Sequence, residues 1–287
     1  MSNTIVFGAS GQLGQCFKRI SAEMNLDIFI FPDETEGNIL DVEGLERLFQ
    51  FHRPVYAINC AAYTAVDKAE TDVELATKVN VEGAKNIADL CSKFNVTLIQ
   101  VSTDFVFKGD KASPLKEEDE ASPISVYGQT KLDGERAVIE ATDKYFIIRT
   151  AWLYSEFANN FVKTMLKLAS TRNELKVIAD QAGTPTYAID LAECIISIIT
   201  SGSTAYGIYH YSNEGIASWY DFTKAIFDLS DISTRVIPIP TSEYPTPAVR
   251  PAYSVMDKTK IKTTFGLQIP YWRESLKTCL SKINQQN

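Results

Sequence analysis

Gly8, Gly11 and Gly14 fall between a short apolar run over 4–7 and a segment over 12–24 in which Leu13, Phe17, Ile20 and Met24 recur at helical spacing. A strand running through a glycine turn into a helix leaves the first N–H groups of that helix bare, a ready site for phosphate. Gly8 suits a tight turn, Gly11 a close approach of backbone to pyrophosphate, and Gly14 close packing of helix on strand. The spacing is G-x-x-G-x-x-G rather than G-x-G-x-x-G, so on its own the turn also reads as a plain strand–helix connection.

The pattern continues. Further strands are predicted over 27–31, 55–59, 97–101 and 145–149, and helices over 42–51, 74–93 and 126–141. Strands alternating with helices imply an α/β fold, a Rossmann-type doubly wound parallel sheet over 1–150, with ligands at the carboxyl ends of the strands. Beyond Trp152 the pattern is mixed. Helices are predicted over 161–170 and 189–200, and short strands over 176–179 and 207–211. The prolines within 237–247 forbid a helix there. This half, 151–287, reads as a smaller carboxyl-terminal substrate lobe, with some segments returning to the main domain.

Tyr127 and Lys131 open the helix over 126–141, at i and i+4 on one face. A lysine charge beside a phenol favours the phenolate, so the tyrosine is expected to exchange its proton nearer neutral pH. Carbonyl reduction needs such a donor beside a hydride source, and the glycine turn offers a place for NADH or NADPH. The second strand ends in Phe31, Pro32, Asp33 and Glu34, with no Arg or Lys near. Its carboxylates would repel a 2′-phosphate and so favour NADH.

A net charge of −8 without a basic stripe argues against a nucleic-acid partner. No apolar run approaches the ~18 residues of a membrane span. Met1, Ser2, Asn3 and Thr4 lack the basic start of a signal peptide. Cys16, Cys60, Cys91, Cys194 and Cys279 are scattered, which reads as buried free thiols in a reducing, cytoplasmic compartment. Two histidines leave little material for a metal site or a Ser-His-Asp triad. The acids Glu117, Glu118, Asp119 and Glu120 read as solvent-exposed; their spacing does not demand a divalent ion.

The motifs FGASGQLG at 7–14, NCAAYTAVDKAE at 59–70, VSTDFVF at 101–107, YGQTK at 127–131, RTAW at 149–152, DQAGTPT at 180–186 and YPTPAVRP at 244–251 resemble the extended short-chain dehydrogenase/reductases. Within them, the chain is most similar to the dTDP-4-dehydrorhamnose reductase family, over nearly its whole length. The first and fourth motifs belong to the whole superfamily, and the second and the last two are more specific. The resemblance implies catalytic roles for Thr103, Tyr127 and Lys131. It implies cofactor contacts at Gly8, Gly11, Gln12, Leu13 and Gly14, at Asp41 and Val42, at Ala61, Ala62, Tyr63 and Thr64, and at Tyr127 and Lys131, the lysine holding the nicotinamide ribose. Substrate contacts fall on Thr103, Asp104, Trp152 and Arg250. The implied partner is a dTDP-sugar, and a homodimer is left open. Two departures stand out: Phe105 replaces the family's usual Tyr, and Pro32 replaces the acidic cofactor contact.

Each residue also has a plainer reading. Thr103 could cap a turn, Asp104 could be an ordinary loop acid, and Asp41 could be a helix N-cap. Trp152 could plug the core, Arg250 could pair with an acid, and 66–70 could be a solvated face. A non-catalytic regulatory subunit of the methionine adenosyltransferase type, and another nucleotide-sugar epimerase or dehydratase, are the alternatives.

Overall fold

The computed structural model describes residues 3–286; Met1 and Ser2, read above as part of a non-signal start, lie outside them. A six-stranded sheet forms the centre among the described residues, in the order Gly207–His210, Tyr145–Thr150, Thr97–Thr103, Tyr56–Asn59, Thr4–Phe7, Phe29–Ile30. Every pairing in it is parallel. Strands covered on both faces read as near-continuous apolar runs, and Thr4–Phe7 is buried at all four positions.

Helices cover both faces, as a doubly wound sheet requires. On one face, Gln12–Glu23 and Ala188–Ser201 pack through Leu13, Phe17, Ile20, Leu191 and Ile195. On the other, Val42–His52 and Gly83–Phe94 pack through Leu45, Phe49, Ile87 and Cys91. A separate core lies in the second half, where Phe161–Ala169, Trp219–Asp228 and Trp272–Gln286 surround the parallel pair Glu174–Ile178 and Arg235–Ile239. Gly207–His210 leaves that half and adds to the main sheet beside Tyr145–Thr150.

Three local differences from the sequence reading matter. The second strand shrinks to Phe29–Ile30, because Pro32 has no N–H with which to extend a ladder. The fourth runs on to Thr103, pairing Ser102 with Arg149 and Thr103 with Thr150. Thr103 is therefore held in the sheet rather than in the following loop. The predicted helix over 74–93 is interrupted by a π turn, Lys78–Glu82. Such turns re-aim side chains, and here Asn80 donates to Thr130 Oγ1 at 3.0 Å and to Tyr63 O at 3.2 Å. No helix among the described residues is long and apolar enough to cross a membrane.

Candidate active site

The strand order reverses between Thr4–Phe7 and Tyr56–Asn59, the switch point at which open α/β sheets bind ligands. Gly8 turns there with φ +73°, and a Cβ on it would stand 2.6 Å from Ala61 N. A Cβ on Gly14 would lie 2.4 Å from Gly8 O, so the helix packs directly on the turn. Gln12–Glu23 starts at Gly11 with no side-chain cap. Its first N–H groups are open to a cavity of about 700 Å³ lined by Gly11, Gln12 and Leu13. A Cβ at Gly11 would meet only Gly8 O, at 3.3 Å, so the approach to this backbone is clear. The turn thus fits the pyrophosphate of a dinucleotide.

Another part of the cavity wall carries Thr103, Asp104, Tyr127 and Lys131. Val126–Ala141 presents Tyr127 and Lys131, and its start is doubly capped. Ser125 Oγ accepts from Gly128 N at 3.1 Å, and Glu70 accepts from Val126 N at 2.9 Å. The segment 66–70 is therefore more than a solvated face. Gly128 lets this helix touch the Asp104–Val106 turn, since a Cβ there would lie 2.2 Å from Phe105 O. Phe105 lies edge-on to Tyr127 at 5.5 Å.

Behind this wall lies a buried ion pair, Arg149 Nη2 to Glu135 Oε2 at 2.7 Å. Ser102 Oγ also donates to Glu135. The pair joins the catalytic-side helix to two strand ends.

The electrostatics correct one expectation. Tyr127 is not drawn toward neutrality. Burial pushes its phenol up to about 12, the Thr103 hydroxyl pulls it down, and the Asp104 carboxylate pushes it up again. Lys131 Nζ donates to Val101 O at 2.8 Å. Burial lowers Lys131 itself to about 8, against the upward pull of Glu135 and Cys60. Asp104 is 2% exposed and burial raises it to about 6. Its Oδ1 accepts from Thr103 Oγ1 at 3.1 Å. Its Oδ2 is buried without a well-formed hydrogen bond, although the Ser254 hydroxyl lies near.

Thr103 serves its plainer reading as well, accepting from Phe105 N at 3.2 Å to cap the turn. Ala62, Thr64, Trp152 and Arg250 also line the cavity. Asp41 and Val42 do not: Asp41 caps its own helix, accepting from Gly44 N at 3.1 Å, and Val42 is exposed. Neither Ala61 nor Tyr63 lines it either. Ala61 N donates to Asn59 at 3.0 Å, and the Tyr63 hydroxyl donates to Asp72 at 2.9 Å.

Glu117 and Asp119 are half-buried rather than exposed. Glu117 accepts from His210 N, and Asp119 accepts from Lys116 N. Of the five free thiols four are buried; Cys60 is half-buried and on the cavity wall.

A second cavity of about 840 Å³ adjoins the first and shares Phe161, Trp219 and Arg250 with it. Trp219 was not singled out from the sequence. Its indole stacks on Trp152 at 3.5 Å and 6°, and its one local signal is the Ser218–Asp221 capping box that opens its helix. Gly183 explains the 180–186 motif: a Cβ there would strike the Trp152 indole at 2.5 Å. Asn160, also missed, donates to Gln12 Oε1 at 2.9 Å and so links the lobe to the glycine turn. Arg250 pairs with an acid, Asp67, at 2.8 Å.

The family model described as the RmlD substrate binding domain matches residues 2–285. A dTDP-4-dehydrorhamnose reductase from Aggregatibacter actinomycetemcomitans is 40% identical, across 96% of this chain and 98% of its own. Among solved structures, a dTDP-4-dehydrorhamnose reductase from Clostridium acetobutylicum superposes with a TM-score of 0.94 at 42% identity, covering 98% of this chain and 99% of that one. Another from Bacillus anthracis, solved in complex with NADP, gives a TM-score of 0.94 at 38% identity over the same shares. These relatives do not favour the regulatory-subunit, epimerase or dehydratase alternatives. The chain belongs to the RmlD substrate binding domain family of dTDP-4-dehydrorhamnose reductases.

Proposed function

We propose that this chain reduces the C4 keto group of dTDP-4-dehydro-L-rhamnose to give dTDP-L-rhamnose. The observation that carries the reading is one cavity lined by both halves of a reductase site: the uncapped helix start after the glycine turn, and Thr103, Asp104, Tyr127 and Lys131. NADH or NADPH supplies the hydride when bound. The amides of Gln12 and Leu13 hold its pyrophosphate, with the Gly11 amide closing the turn onto Gly8 O at 3.0 Å; Ala62 and Thr64 flank its nicotinamide half, and Lys131 holds the ribose beside it. Asp41 and Val42 lie on the coenzyme's adenine side, with Asp41 also capping its helix, and Gly8, Gly14, Ala61 and Tyr63 shape the turn and loop.

The Thr103 hydroxyl turns from Asp104 Oδ1 to donate to the substrate carbonyl oxygen, and Tyr127 delivers the proton to that oxygen as charge develops on it. A phenol pushed up to about 12 is protonated at neutral pH, the form an acid must have before it acts. Asp104 and Trp152 contact the sugar, and Arg250 faces the diphosphate. Residues 1–150 then serve mainly the cofactor and 151–287 mainly the sugar nucleotide, with Gly207–His210 returned to the sheet. The enzyme works in the cytoplasm, a reading its five free thiols support. It takes no nucleic acid, as a net charge of −8 without a basic stripe favours.

The direct test is coenzyme oxidation by the purified protein on addition of dTDP-6-deoxy-L-lyxo-4-hexulose, with dTDP-L-rhamnose identified as product. No turnover with either coenzyme sinks the assignment.

A further inference from the structure

We propose that Asp67 is a positioning residue for the substrate diphosphate: it grips one edge of the Arg250 guanidinium so that the other edge is presented where the two cavities meet. The inference rests on the reductase reading and adds to it a residue on the wall of the second cavity that acts through Arg250.

A guanidinium has five N–H donors in a rigid plane and can offer two forked edges. Asp67 takes the end-on edge, with Nη1 donating to Oδ1 at 2.9 Å and Nη2 to Oδ2 at 2.8 Å. Nη1 is further occupied by Thr246 Oγ1 at 2.7 Å and Ala248 O at 2.9 Å. The side-on edge, Nε with the second Nη2 hydrogen, has no partner among the described residues. That edge matches two phosphate oxygens in the paired geometry that makes arginine a phosphate binder. Arg250 lines both cavities, so a ligand spanning them passes it.

The grip matters because of what carries Arg250. It ends an irregular stretch containing Pro245 and Pro247, with Pro251 next in line and no ladder to hold it. Asp67 fixes the stretch twice, since Oδ1 also accepts from Ala248 N at 3.2 Å. The Arg250 hydrogen bond holds the Asp67 carboxyl below its ordinary value, so it stays charged through neutral pH. The pair has little net charge, and geometry rather than added charge is then its contribution. An arginine already held in its binding pose loses less side-chain freedom when the ligand arrives.

The test is calorimetric titration of dTDP into the NADH-loaded protein, with KM and kcat for the keto-sugar nucleotide alongside. For Asp67→Asn we expect dTDP affinity to fall about tenfold, KM to rise with it, and kcat to fall less than KM rises. NADH affinity should stay within about twofold, and Asp67→Glu should recover part of the loss. In an Arg250→Met background Asp67→Asn should cost nothing further, because the two act as one unit. Equal or tighter dTDP binding by Asp67→Asn, or the same loss in the Arg250→Met background, overturns the proposal and leaves the reductase reading standing. If wild-type protein binds no dTDP at millimolar concentration, the reductase reading falls and takes this inference with it. Thermal unfolding of each variant separates lost binding from lost folding. Should Asp67→Asn not fold, Thr246→Val loosens the same Nη1, and unchanged dTDP binding there overturns the proposal.

Discussion

Asp104→Asn should stabilise the protein, and more so as pH rises. The Asp104 carboxyl titrates at about 6 in the fold against 3.8 ordinarily, because burial penalises its charge. The folded state therefore holds its proton after the unfolded chain has released it. Stability falls as pH rises from about 4 to about 6, and above that the full cost is present. Two pKa units at 1.36 kcal/mol each give a cost of roughly 3 kcal/mol at pH 8, an upper figure because the surroundings relax on charging. Asn keeps the volume and removes the charge. Its amide leaves one buried polar atom without a partner, as the carboxyl does at Oδ2, so any fixed packing difference is the same at every pH. Denaturant unfolding of both proteins at pH 5 and pH 8 isolates the titrating part. About half of that cost is already present at pH 5, so the variant's advantage should grow by about 1.4 kcal/mol between the two, or roughly 2–3 °C in Tm. Activity should drop, since the carboxylate is the proposed sugar contact. Stability curves that run parallel across this window would refute the burial argument.

Tyr127→Phe removes the acid with little volume, so folding should survive while turnover falls ~100-fold or more; wild-type-like turnover takes Tyr127 out of the mechanism. Lys131 titrates at about 8 before ligand binds, so NADH affinity should weaken as pH passes 8 and the ammonium is lost. Lys131→Met should bind NADH more weakly and without that alkaline limb, read by fluorescence titration; a limb that persists assigns it to another group. NADH should serve at least as well as NADPH. Asp33 is occupied by its own turn, accepting from the Thr35 and Glu36 amides, while Ser10 Oγ donates to Glu34 at 2.9 Å and fixes that carboxylate beside the glycine turn. Glu34→Gln should tighten NADPH binding several-fold by removing charge repulsion; unchanged NADPH affinity shows that Glu34 does not face the 2′-phosphate.

Much of the fold was legible because it rests on local periodicity. The strand over 4–7 and the helix over 126–141 have in the structure the bounds the sequence suggested. Position in the sheet was less so. Gly207–His210 reads as an isolated apolar run, and only pairing with Tyr145–Thr150, some sixty residues earlier, makes it part of the main sheet. The site shows the same division. Tyr127 and Lys131 share a helix, so their proximity follows from spacing. Their electrostatics do not, because the Val101 carbonyl that takes up the Lys131 ammonium and the Asp104 carboxylate that acts on Tyr127 come from a different strand end. Trp219 escaped notice because its partner, Trp152, is distant in sequence and the stack has no local pattern.

The motifs that narrow the family most are largely those that brace the site rather than perform its chemistry. In the 59–70 motif, Glu70 caps the helix bearing Tyr127 and Lys131, and Asp67 holds Arg250. In the 180–186 motif, Gly183 makes room for the Trp152 indole. The 244–251 motif supplies Arg250 with the Thr246 and Ala248 oxygens that fix it. A proton donor and an ammonium serve carbonyl reduction wherever it occurs, so YGQTK at 127–131 says little about the substrate. What must differ between sugar nucleotides is the placing of the few groups around the ring and the diphosphate. Those groups sit on loops, which keep a geometry only if other residues impose it. Specificity should therefore respond to substitutions at Asp67, Thr246 and Gly183 through KM for the sugar nucleotide, with smaller effects on coenzyme affinity. Substitutions at Tyr127 should act on kcat.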